Sequence, residues 1–178
     1  MGTDMRDEEA DRLMRNIAAA ALVGPLISKR PHWETFPDFS PAQLPVDPSP
    51  WCAGVVHVDV WLSVLDKKEK APFLFWTQGD DILSVEPIVG DGDAVDVGFA
   101  LIDAMVAPWV GAPRRPRLVY VANEAMATSL RDPTASEGHD LAAIVDVVVR
   151  PTPVDTSERV VTFLENLAKS RQREAGEG

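Results

Sequence analysis

Residues 55–64, VVHVDVWLSV, alternate strictly: Val56, Val58, Val60, Leu62 and Val64 are all apolar, and Val55, His57, Asp59, Trp61 and Ser63 stand between them. A period of two over ten residues is a strand pattern, which no helical phase satisfies. The second set contains a Val and a Trp besides its polar groups, so both faces of this strand are expected to be covered and the strand to lie inside a sheet. Asp59 then becomes an acid in a covered position, and His57, two residues away on the same face, is its expected partner beneath the last helix.

The spacing of the following apolar runs constrains the topology. Residues 66–71 read as a charged turn, residues 72–78 (PFLFWTQ) as a second strand, residues 79–81 as another turn, and residues 82–89 as a third strand with Pro87 near its end. Connections this short cannot hold the crossover that parallel neighbours need, so the three strands are expected to form an antiparallel meander. Pro87 lacks an N–H to donate, which places the third strand at the sheet edge.

Beyond the meander the period lengthens. Asp93 caps an expected helix over residues 94–106, with Val95, Phe99, Ile102, Met105 and Val106 on one stripe, and Pro108 ends it. Arg114, Arg115 and Arg117 lead into LVYVA (118–122), a short apolar run typical of a buried strand, and a solvated approach to that strand is the reading given to the three arginines. Asn123 then caps a second helix. Residues 145–150 read as the fifth strand, and a last helix from Asp155 buries Val160, Val161, Leu164, Leu167 and Ala168. The tail from residue 171 is expected to fray.

Ahead of the central strand, residues 4–22 read as a helix with Ala10, Leu13, Ile17 and Ala20 on one stripe, stopped by Gly24 and Pro25. Residues 25–50 carry seven prolines and are expected to be extended, without ladder pairing. Trp33, Phe36 and Phe39 punctuate them, as suits a segment lying in a groove of its own domain or of another subunit, and they are the candidate partner-binding residues. The chain thus divides into a helix and proline-aromatic arm (1–50), an α/β domain (51–170) and a tail (171–178).

A right-handed crossover from the edge strand must carry the fourth strand past the meander to the free side of the first. The expectation is a five-stranded mixed sheet in the order 3-2-1-4-5. This element order, with an acid midway along the first strand, resembles the ribonuclease H-like fold shared with retroviral-type integrases and transposases, and the resemblance covers residues 51–167. The region around Pro48 to Trp51, Asp59, and the stretch RPRLVYVANEAMATSLRD (115–132) are also similar to a bacterial domain family of unknown function.

The ribonuclease H-like resemblance implies that a nuclease would hold two divalent metals, Mg²⁺ or Mn²⁺, on carboxylates. Asp59 stands where the first acid would be. The place of the second reads Asn123 and Glu124, one neutral and the other displaced by one residue, and Asp96 with Glu158 or Glu165 are the remaining candidates. No phosphate-binding glycine loop, zinc-protease or serine-hydrolase signature occurs, no cofactor is implied, and the lone Cys52 can form neither an internal disulfide nor a cysteine metal site. A net charge of −11 disfavours general nucleic-acid binding, which draws its affinity from cationic side chains. From Gln78 to Ala112 seven acids stand with no Lys or Arg.

The reading these features favour is a non-catalytic accessory or protein-interaction domain with an acidic surface. The alternatives are a metal-dependent nuclease with an altered site, carried by Asp59, Glu124, Asp96 and Glu158, and an acidic immunity or inhibitor protein. A protein partner is expected, homo-oligomerisation is left open, and with no spanning or export segment in the sequence a cytoplasmic location is expected.

Overall fold

The computed structural model describes residues 4–27, 40–62, 66–88, 97–132 and 140–176. Its centre is a long hairpin. Strand β2 (Trp51–Leu62) pairs antiparallel with β3 (Lys67–Gln78) over its length from Cys52↔Thr77 to Leu62↔Lys67, and β3 pairs antiparallel with β4 (Asp81–Pro87). The second strand therefore starts at Lys67, inside the stretch 66–71 that the sequence alone predicts to be a turn. The charged residues Lys67 to Lys70 gain strand geometry because the β2 ladder continues opposite them, an instance of tertiary pairing overriding local propensity. Asp66, with a φ of 51°, introduces that strand.

On its other side β2 pairs parallel with β6 (Leu118–Val121), through Trp51↔Val119 to Ala53↔Val121, and β6 pairs parallel with β7 (Asp146–Val149). The spatial order is β4-β3-β2-β6-β7, a five-stranded mixed sheet. A separate two-stranded parallel sheet joins β1 (Val46–Asp47) to β5 (Arg115–Pro116). The proline-rich segment is thus neither wholly extended nor free of ladder pairing, since it also makes a 3₁₀ turn over Pro41–Gln43.

Each sheet face has its own core. Helices α2 (Val97–Val106) and α3 (Glu124–Arg131) cover one face with Leu101, Ile102, Met105, Met126 and Leu130 against Trp51, Ala53, Leu74 and Trp76. Asn123 caps α3 by accepting the Met126 N–H at 2.9 Å. The other face is covered by α1 (Asp4–Ile27) and α4 (Val154–Gly176), whose Ala19, Leu22, Val23, Val160 and Leu164 pack on Val56, Val58, Val60, Leu62, Phe73, Phe75 and Val85. Full burial of each Val or Leu here contributes about 1.5–3 kcal/mol.

Two helix boundaries differ from the sequence reading. α1 runs through Gly24 and Pro25 to Ile27: Pro25 has no N–H to donate to the Ala21 carbonyl, but the buried Leu22 and Val23 anchor that end of the helix on the sheet. α4 continues to Gly176, past the expected fraying point. Among the described residues no helix is long and apolar enough to cross a membrane.

Candidate functional site

Beyond Ala53 the two edges of β2 have different surroundings. β3 follows it to Leu62, whereas β6 stops at Ala53, and among the described residues no strand occupies that edge from residue 55 to residue 62. The helices also divide at this point. The inward side chains Val56, Val58, Val60 and Leu62 lie under α1 and α4, but Val55, His57, Asp59 and Trp61 project from the other face beyond the cover of α2 and α3, and all four are exposed. The expectation that both faces of residues 55–64 are covered therefore fails for these four residues; two-sided cover belongs to Trp51 and Ala53, ahead of that stretch.

The assignment of Asp59 changes accordingly. It does not sit beneath the last helix with His57; its side chain is 54% exposed and faces Lys70 across the hairpin at 3.3 Å. An ion pair this exposed contributes little to stability.

At the far end of β2 this edge opens into a groove of about 690 Å³ between α1 and α4. Its floor is apolar, formed by Met14, Ile17, Ala18, Val60 and Leu62, while Asp59, Lys68, Glu165, Lys169 and Arg171 supply charge at the rim. The groove exists because α1 is apolar on two sides. Ala19, Leu22 and Val23 turn into the core, while Leu13 and Ile17, from the stripe identified in the sequence, are 57% and 55% exposed. Lys67 ties the hairpin to α1: its ammonium meets the Asp11 carboxylate at 2.6 Å and Glu69 at 3.2 Å, and these contacts, Asp11 foremost, raise its pKa.

The remaining nuclease candidates are not gathered around Asp59. Glu124 opens α3 after Val121, which is level with Ala53 and six residues short of Asp59 along β2, and it lies 3.8 Å from Arg131. Glu158 is exposed on α4, and Glu165 lies at the groove rim. Asp96, Trp33, Phe36 and Phe39 fall outside the described residues. Among the described residues no three His, Cys, Asp or Glu side chains converge as a metal-binding group. The Cys52 thiol is half-buried, and burial pushes its pKa up against the opposing charge of Arg150.

A network absent from the sequence reading forms around Asp47, which is 7% exposed. Its carboxylate accepts the Ser49 N–H at 3.0 Å, the Trp51 indole N–H at 3.2 Å, the Arg114 Nε–H at 2.9 Å and a hydrogen bond from Gln78. Arg114 is therefore no solvated approach to a strand; it also donates to the carbonyls of Val110 and Ala112 and lies 5.6 Å from the Trp51 ring centre. The Asp-Pro-Ser sequence is an Asx-turn signal that could have pointed to the first of these bonds. The network locks β1, β2, β3 and the approach to β5 together, a structural task.

Compared with protein-family models, with curated proteins and with solved structures, the chain matches none.

Proposed function

We propose that this chain is a cytoplasmic protein-interaction or accessory domain of ribonuclease H-like architecture, which engages a protein partner along the free edge of β2 and the adjoining groove. The mixed sheet in the order β4-β3-β2-β6-β7, with helices on both faces, supports the architectural part. The observation that carries the functional part is the second apolar side of α1, where Ile17 stands exposed in an apolar groove with a charged rim and Leu13 is exposed one turn earlier in the helix. An apolar floor ringed by polar groups is the anatomy of a protein contact site.

The test compares the parent with Ile17→Asp and Trp61→Ala. Both residues are solvent-exposed, so the variants should melt within about 1 kcal/mol of the parent. A partner recovered in stoichiometric amount by the parent should be lost by Ile17→Asp at least about tenfold, as for a residue near the centre of an interface. A metal-dependent nuclease would behave otherwise. Millimolar Mn²⁺ would raise the melting temperature by several degrees, Asp59→Asn would abolish that rise, and only the parent would cut nucleic acid; that set of results would overturn the interaction reading.

A further inference from the structure

The direction of every backbone group along the free edge of β2 can be traced. The Ile88 N–H donates to the Pro72 carbonyl at 3.0 Å, so Pro72 of β3 faces β4. Its neighbours Ala71 and Phe73 therefore face β2, and their partners Val58 and Val56 direct their own N–H and C=O groups back toward β3. Val55, His57, Asp59 and Trp61 consequently direct theirs to the opposite edge, where β6 has stopped at Ala53. These same residues carry the exposed side chains of the strand.

We propose that this edge pairs with the same edge of a second copy of the chain, antiparallel about a twofold axis through Val58. The proposal rests on the reading of the chain as an interaction domain and names the occupant of its strand edge. Two copies joined into one continuous sheet must set residues of like parity opposite one another, since otherwise the buried side chains of one copy would lie beside the exposed side chains of the other. Over residues 55–62 the two longest overlaps that obey this rule are centred on Asp59 and on Val58.

Charge and backbone pairing choose between them. Centring on Asp59 sets two carboxylates directly opposite each other, a destabilising arrangement, and leaves the outward groups of Val55 without a partner in the described strand. Centring on Val58 sets His57 opposite Asp59 of the partner subunit, twice over, and Val55 opposite Trp61 of the partner subunit. Every outward-facing residue then joins a hydrogen-bonded pair. Asp59 would lie between Lys70 of its own chain, 3.3 Å away, and the partner's His57. Val55 and Trp61, 37% and 42% exposed in the single chain, would cover each other. An isologous contact of this kind also removes an open strand edge that would otherwise invite uncontrolled pairing.

Sedimentation of the full chain over the micromolar range tests the proposal through a charge swap. The parent is expected to be a dimer. His57→Asp and Asp59→His each place like groups opposite one another twice per dimer, and each should raise the dissociation constant about tenfold or more. The double variant carrying both substitutions restores the complementary pairs and should return to within about threefold of the parent. His57→Pro removes an N–H that points outward and leaves the β2–β3 ladder intact, so a monomer with the parent's far-ultraviolet circular dichroism is expected. A parent that stays monomeric overturns the self-pairing, as does a double variant no tighter than the single ones, or a dimer indifferent to His57→Pro. If the parent is monomeric and Ile17→Asp still abolishes capture of a different protein, the self-pairing fails while the interaction reading stands. Loss of both observations removes both.

Discussion

Asp47 is the one charged side chain that the described fold buries, and its environment has a measurable consequence. Burial pushes its carboxyl pKa upward, but the Ser49 N–H, the Trp51 indole and the Arg114 guanidinium together outweigh that, so the net shift is below the ordinary carboxylate value. A carboxyl depressed in the folded state contributes stability that is fully present above its unfolded pKa and is lost as pH falls through the folded one. Asp47→Asn keeps the shape, yet leaves the largely enclosed Arg114 without its counterion. Urea unfolding at pH 7 should show the variant less stable by about 2–4 kcal/mol, and the gap should close progressively below about pH 4. An equal gap at pH 7 and at pH 3 would contradict this account. The residue was not legible as a site because two of its partners, Gln78 and Arg114, lie 31 and 67 positions away in the chain. Asp59 was legible as an acid on a strand. Its exposure was not, since that depends on where the covering helices end.

At the scale of elements, Gly54 marks the point where β2 passes from paired to free on its β6 side. A Cβ built there would stand 2.5 Å from the Thr152 hydroxyl oxygen and 2.8 Å from Cζ of Phe75. The glycine thus lets the connection between β7 and α4 cross close over the strand, and α4 then runs on above Val56 to Leu62. Gly54→Val must push this crossing away or displace Phe75, and should cost about 2–4 kcal/mol in chemical denaturation; a change below about 0.5 kcal/mol would show that the crossing is loose. The period-two pattern of β2 and the helical stripe of α4 were both readable, because each depends on a single element meeting a single covered face. The polar start of β3 was not, because its strand geometry comes from its partner. α1 shows the same limit: its sequence carries apolar residues on two sides, and nothing local says which side the sheet takes.

For the whole molecule, the sheet divides two cores, and α1 is a structural wall of one of them. Removing residues 1–39 would uncover β2, β3 and β4 where Ala19, Leu22 and Val23 pack, a loss of about 5 kcal/mol, comparable with the entire stability of a small domain. The shortened chain is therefore expected to bind a hydrophobic dye and to lack a cooperative thermal transition, and a sharp melt near the parent's temperature would refute the role given to α1. From the sequence alone came the α/β class, the antiparallel meander forced by short connections, and the mixed five-stranded sheet built on one central strand; these follow from chain length between apolar runs and from periodicity, which are local quantities. The tertiary structure alone decided that β2 outruns β6, that Asp59 faces solvent and Lys70, that Asp47 is enclosed by Arg114, and that one side of α1 is left to line a groove. Each of these depends on how far one element extends past another, and that length is set by packing between residues distant in the chain.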